Sequence, residues 1–202
     1  MGIKAIIWDV GQVLYITDDK DLYETLSKKT GIPYEKIREV YFSEMNDLID
    51  VGKVTEEEFA AYAMEVLEIS AQKYAEYEQA REDSLYLDEK MMERIKDLRK
   101  TYKIGLLSNF TPDLRHKIEH VWKNSDQFDE IVISCEVGLL KPGAEIFKLI
   151  LTRLGVRADE AVFVDDRAMN IEGAQKVGIH TVLFENREQG LRALDEILAA
   201  QG

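Results

Sequence analysis

Four short apolar runs in this 202-residue chain end on residues able to handle a phosphate and a divalent cation. Asp9 follows the run 4–8, Ser108 and Asn109 follow 103–107, Lys141-Pro142 comes shortly after 130–133, and the pair Asp165-Asp166 follows 161–164. A carboxylate can attack phosphorus or hold a metal. A hydroxyl and an amide can hold phosphate oxygens, and a lysine can neutralise charge on them. Magnesium favours oxygen ligands and takes only one or two carboxylates beside a phosphate oxygen and water, a demand that Asp9 and Asp166 meet. Adjacent acids such as Asp165 and Asp166 repel each other unless a cation or hydrogen bonds offset them. Singly, each element has an ordinary use: an Asp after an apolar run caps a helix, Ser-Asn makes a turn, and Lys before Pro starts a helix. Their order at successive run ends is what points to one site for Mg²⁺ and phosphate.

The elements that must position these residues follow from the same pattern. The runs 4–8, 103–107, 130–133, 161–164 and 181–184 have strand length, and longer amphipathic stretches separate them. Met91, Met92, Ile95 and Leu98 repeat at helical spacing before the second run, and Ile146, Phe147, Ile150, Leu151 and Leu154 before the fourth. Asp88 and Thr111-Pro112 suit helix starts, and Gly155 and Gly178 suit helix ends. Strands alternating with helices predict an α/β fold, a Rossmann-like parallel sheet with helices on both faces in three layers. In such a sheet ligands bind beyond the carboxyl ends of the strands, where these polar residues stand.

Almost a hundred residues separate the first two runs, far more than a crossover requires. Their pattern is helical, with Leu22 and Leu26, then Ile37, Val40, Tyr41, Met45 and Leu48, then Phe59, Ala63, Val66 and Leu67, and a capping box from Thr55 to Glu58. The division expected is a core formed by residues 1–15 and 87–202, with residues 16–86 inserted as an α-helical cap.

Composition narrows the partners. A formal charge of −13 without any clustered Lys and Arg repels polyanions over most of the surface, which argues against nucleic acid. No stretch is long enough to span a membrane. The N-terminal apolar run breaks too early for a signal peptide, and the single Cys135 fits a reducing cytoplasm as a packed thiol. A small phosphorylated metabolite remains the natural partner. Monomer and homodimer are equally compatible with the sequence.

The four polar stations resemble the signature motifs of the haloacid-dehalogenase-like hydrolases with a helical cap. They read Ile6-Ile7-Trp8-Asp9-Val10-Gly11-Gln12-Val13-Leu14, Gly105-Leu106-Leu107-Ser108-Asn109, Gly138-Leu139-Leu140-Lys141-Pro142, and Val162 to Ala174 through Asp165-Asp166 and Asn170. The stretch from Asp50 to Phe59 matches the cap of that superfamily. The resemblance implies that Asp9 is a nucleophile forming an aspartyl-phosphate. It also implies Mg²⁺ shared by Asp9, the backbone carbonyl of Gly11 and Asp166, with Asp165 in or just outside the first shell. By the same resemblance Lys141 bridges phosphate and nucleophile, Ser108 and the backbone at Asn109 hold phosphate oxygens, and Asn170 orients the acidic loop.

Gly11 departs from the commoner pattern, where a second Asp protonates the leaving alkoxide. A backbone ligand survives that change, but the acid does not. General acid catalysis contributes about 10²–10⁴-fold, so activity is expected to persist best on anomeric, acyl or aryl phosphates. The Asp-x-Gly members resembled here include sugar phosphatases acting on glucose 1-phosphate. Two alternatives stand beside a phosphatase: a 2-haloacid dehalogenase, which also lacks the second Asp but uses no magnesium, and a non-catalytic interaction module. Tyr15, Asp18 and Glu44 are candidates for substrate contacts, while Trp122 and His116 read as packing and solvent-facing groups.

Overall fold

Side chains of the first strand alternate between two apolar layers. In the computed structural model, which describes residues 2–17 and 21–200, β1 (Ala5–Trp8) sends Ile6 and Trp8 into one buried cluster and Ala5 and Ile7 into another. A strand buried on both faces needs cover on both. After β1 comes a two-residue strand, β2 (Tyr15–Ile16), paired antiparallel with β3 (Tyr86–Leu87). The main sheet continues with β4 (Lys103–Ser108), β5 (Glu130–Ile133), β6 (Ala161–Asp165) and β7 (His180–Leu183). Its order is β5-β4-β1-β6-β7, with every neighbouring pair parallel.

Between β2 and β3 run five helices, α1 (Leu22–Thr30), α2 (Tyr34–Tyr41), α3 (Glu44–Asp50), α4 (Glu56–Leu67) and α5 (Ala71–Glu82). They close around an apolar cluster of their own, in which Leu26, Ile37, Val40, Leu67 and Tyr77 are buried. Thr55 and Glu58 form the reciprocal cap expected for α4. The remaining helices are α6 (Glu89–Leu98), α7 (Asp113–His116), α8 (Ser134–Val137), α9 (Ala144–Leu154), α10 (Ala168–Val177) and α11 (Arg187–Ala200). Met91 and Ile95 of α6, Leu114 of α7 and Leu194 of α11 cover one face of the sheet. Ile146, Phe147 and Ile150 of α9 with Ile171 and Ala174 of α10 cover the other. The result is the three-layer α/β arrangement of a Rossmann-like fold, and among the described residues no helix is long and apolar enough to cross a membrane.

Three local expectations need correction. The last strand begins at His180 and ends at Leu183, one residue earlier than the run 181–184. The β2–β3 pair straddles the expected boundaries at 15/16 and 86/87, in a stretch read as holding no strand, because two-residue strands are too short to show periodicity. Thr111 does not cap α7 through its side chain: Pro112 occupies the cap position, and the Thr111 hydroxyl donates instead to the Asp113 carboxylate. Asp88, by contrast, accepts from the backbone N–H groups of Lys90 and Met91 at 3.0 and 3.2 Å, as a helix start requires.

Candidate active site

The carboxyl ends of β1, β4 and β6 meet where parallel strands leave their polar residues side by side. Asp9 emerges from β1 with its backbone N–H donating to Val164 O at 2.9 Å, which fixes it beside the end of β6. Lys141 Nζ lies 2.7 Å from Asp9 Oδ1 and 2.6 Å from Asp165 Oδ2, and all three residues are buried. Asn109, just past β4, clamps the lysine backbone: its side-chain amide donates to Lys141 O and its carbonyl accepts from Lys141 N, both at 2.9 Å. This reciprocal pair sets where the lysine stands, a part played by the Asn109 side chain rather than its backbone.

Asp165 is occupied on both oxygens. Besides Lys141, it accepts from Arg167 N at 2.8 Å and from Asn170 Nδ2 at 3.0 Å to each oxygen. Asp166 points a half-buried carboxylate into the cavity. Carboxylate oxygens of Asp9, Asp165 and Asp166 can be chosen within 4.8 Å of one another. Burial, reinforced by Asp165 and Asp166, raises the Asp9 pKa to about 7 although Lys141 pulls it down. Burial and the neighbouring Asp165 raise Asp166 to about 6. Burial works against the charge of Lys141, yet Asp9 and Asp165 hold its pKa above the ordinary value. Three carboxylates face one ammonium at the floor of this recess, and all the carboxylate donors are hard oxygens. That charge imbalance and that ligand set suit a divalent cation such as magnesium.

Above these groups opens a cavity of about 640 Å³ lined from both the sheet ends and the helical insertion. Ser108, Asn109, Gly11 and Asn170 line it, as does Tyr15, whose hydroxyl donates to Glu82 at 3.3 Å. Glu44, by contrast, is exposed and outside the cavity wall: α3 turns Asn46, Ile49 and Asp50 inward. Asp18 lies outside the described residues. Trp122 packs its ring against Tyr15 at 4.9 Å, and His116 stands exposed with its ring stacked on His120 at 4.8 Å, as expected of packing and surface groups. Cys135 is half-buried against the core, and burial raises its thiol to about 11.

Some features of the site were not anticipated. Gly52 (φ +70°) lies so close to α8 that a Cβ there would sit 2.5 Å from the Cys135 carbonyl oxygen, which ties the loop after α3 to the sheet domain. Gly173 of α10 approaches the Lys141-Pro142 turn equally closely, with a Cβ position 2.5 Å from Pro142 O. Both glycines stand in the motifs, but nothing in a sequence reveals which backbone a glycine will meet. Gly11 differs: an added Cβ would find nothing within 4 Å.

Comparison with known proteins agrees with this architecture. The haloacid dehalogenase-like hydrolase family matches residues 3–178. The chain is 36% identical over 116 residues to ribulose-1,5-bisphosphate 5-phosphatase of Halopiger xanaduensis, covering 52% of this chain and 47% of that protein. It is 30% identical over 123 residues to D-ribitol-5-phosphate phosphatase of Bacteroides thetaiotaomicron, covering 55% and 57%. Among solved structures, a wild-type enzyme of this family from Bacteroides thetaiotaomicron, in complex with magnesium and inorganic phosphate, superposes with a TM-score of 0.71 at 25% identity, covering 90% of this chain and 93% of that one. The chain spans 7–14% of the first curated relatives it matches, which are far longer proteins. With the family match running from before β1 to the end of α10, the chain belongs to the haloacid dehalogenase-like hydrolases.

Proposed function

We propose that the chain is a magnesium-dependent phosphatase of small phosphomonoesters, a sugar phosphate in particular, with residues 16–86 acting as a cap over the site. The observation that carries this reading is the Lys141 bridge between Asp9 and Asp165 at 2.7 and 2.6 Å, with Asp166 in the same cluster at the floor of the cavity. Asp9 is the nucleophile, its second oxygen without a hydrogen bond to any side chain among the described residues, and its attack on phosphorus gives an aspartyl-phosphate that water cleaves. Lys141 neutralises phosphoryl charge, and Ser108 with the backbone N–H at Asn109 holds the remaining oxygens. Asp9, Asp166 and the Gly11 carbonyl would hold Mg²⁺, while Asp165, occupied by protein donors, orients the lysine. Bound there, magnesium would offset the charge of the carboxylates and of the phosphate.

The sugar-phosphate assignment draws on the two relatives named for phosphorylated ribulose and ribitol. Gly11 brings no carboxyl to the leaving oxygen. Anomeric sugar phosphates such as glucose 1-phosphate tolerate that best, because their alkoxide leaves readily. Phosphate release from a panel of phosphorylated metabolites is expected with Mg²⁺ and is expected to vanish with EDTA or in Asp9→Asn. Release that survives both would refute the reading, and halide release from 2-haloacids in EDTA would put dehalogenation in its place.

A further inference from the structure

Five carboxylates line the cavity besides Asp9 and Asp166: Asp50, Glu56, Glu57, Glu78 and Asp113. Four of them have evident occupations. Glu78 pairs with Arg81 at 2.9 Å and Asp113 with Lys117 at 2.6 Å, so each has a cation as its partner. Glu56 and Glu57 stand exposed in the first turn of α4. Asp50 is different. It is half-buried, its side chain is held by the Asn46 amide, which donates to Oδ2 at 3.2 Å, and among the described residues no Lys or Arg comes within ion-pair distance of it.

The place of Asp50 is fixed rather than incidental. It ends α3, whose start is capped by Ser43, and two residues later Gly52 rests against the Cys135 backbone with no room for a Cβ. The insertion therefore holds this carboxyl over the same cavity that Asp9 opens into. To the same cavity the end of β1 contributes Gly11, where an added Cβ would meet nothing within 4 Å. The first motif lacks a carboxyl that the chemistry calls for, and α3 brings to the same cavity a carboxyl that no Lys or Arg among the described residues pairs with.

Resting on the phosphatase reading, we infer that the Asp50 carboxyl gives the leaving oxygen the proton that Gly11 cannot, and takes one back from the attacking water. In the first step Asp9 bonds to phosphorus as the ester P–O bond breaks, and the departing alkoxide takes the Asp50 proton to leave as an alcohol. In the second, water loses a proton to the Asp50 carboxylate as its oxygen bonds to phosphorus and the Asp9–phosphorus bond breaks. The sum is phosphomonoester plus water giving alcohol plus phosphate, with Asp9 and Asp50 restored. The groups facing Asp50 allow it to hold a proton near neutrality. Burial first and Asp47 of its own helix second push it up to about 7, against Arg167, the Asn46 amide and Lys141, which lower it. The Cys135 thiol of α8 lies within its electrostatic reach as well.

The experiment compares leaving groups. Wild type, Asp50→Asn, Gly11→Asp and the double variant are assayed with Mg²⁺ on an alkyl phosphate, glycerol phosphate, and on p-nitrophenyl phosphate, whose phenolate needs little protonation. Asp50→Asn is expected to lower kcat on the alkyl ester by about 10²-fold or more and on the aryl ester by far less. Gly11→Asp in the same chain is expected to return most of the alkyl activity, since it supplies a carboxyl to the same cavity. Equal losses on both esters, no loss on either, or no recovery in the double variant would overturn the role of Asp50. The phosphatase reading is judged separately, by whether Mg²⁺-dependent turnover of the aryl ester disappears in Asp9→Asn. Retained aryl turnover also shows that Asp50→Asn is folded.

Discussion

Withdrawing magnesium should make this protein lose stability as the pH rises, and Asp9 contributes a large share of the effect. Its pKa stands near 7 in the folded chain against an ordinary 3.8, first because burial disfavours the charged form. Between those values the folded state binds a proton there that the unfolded chain has released, so the contribution of Asp9 is fully present below pH 4 and declines as pH climbs through 7. The gap, at about 1.4 kcal/mol per pH unit, amounts to roughly 4 kcal/mol, of which roughly 2–3 kcal/mol is lost between pH 5 and 8. Asp166, raised to about 6, and Asp50, raised to about 7, act in the same direction. Carboxylates held low by a salt bridge or hydrogen bond, such as Asp97 and Glu160, titrate below this window. Urea unfolding in EDTA at pH 5 and pH 8 measures the summed decline, and Asp9→Asn should reduce it by the roughly 2–3 kcal/mol that Asp9 contributes, because an amide does not titrate. Magnesium should stabilise strongly at pH 8, by about 2.7 kcal/mol at a hundredfold excess over Kd, and little at pH 5, where protons compete. A decline of the same size in Asp9→Asn, or an equal magnesium effect at both pH values, would refute the electrostatic description of the site.

Other perturbations test the supports of the site. Gly173→Ala places a Cβ 2.5 Å from Pro142 O and 2.8 Å from Pro142 Cβ; overpacking of that kind costs about 1–3 kcal/mol, and displacement of Lys141 should lower kcat beyond what the shift in Tm implies. Asn170→Ala strips a donor shared by both oxygens of fully buried Asp165. A loss of about 1–3 kcal/mol is expected by chemical denaturation, and a variant as stable as wild type would show that the Asn170 amide is dispensable. Gly52→Ala meets a left-handed backbone, costing about 1–2 kcal/mol, and the Cys135 carbonyl oxygen at 2.5 Å. Because that contact joins the insertion to the sheet domain, KM for the sugar phosphate should rise several-fold, and an unchanged KM would show that the contact does not govern closure.

The sheet and the floor of the site were legible in the sequence because buried parallel strands advertise themselves as short apolar runs, and a run's end is where its polar residue must stand. Asp9, Ser108 and Asp165-Asp166 could be placed on that ground alone, and Lys141 by its motif. The walls contributed by the insertion were not legible. Helix α3 has seven residues, too few turns for periodicity to say which face looks inward, so Glu44 was singled out while Asn46, Ile49 and Asp50 line the cavity. The side-chain clamp of Asn109 on the Lys141 backbone spans 32 residues and leaves no local trace.

Glycine shows most clearly why the missing part needed coordinates. Gly11, Gly52 and Gly173 look alike in the chain, each within a motif. At Gly52 and Gly173 a neighbouring backbone oxygen forbids a side chain, so packing dictates the residue. At Gly11 the φ is not left-handed and the space beyond the missing Cβ is open, so neither strain nor crowding demands glycine. What the residue changes there is chemistry alone. A Cβ would meet no neighbour at position 11 yet no carboxyl is supplied there, and a barrier contribution of about 3–5 kcal/mol must then be forgone or met from elsewhere in the cavity. Asp166 apart, Asp50 is the carboxyl lining that cavity with neither an ion-pair partner among the described residues nor free exposure to solvent.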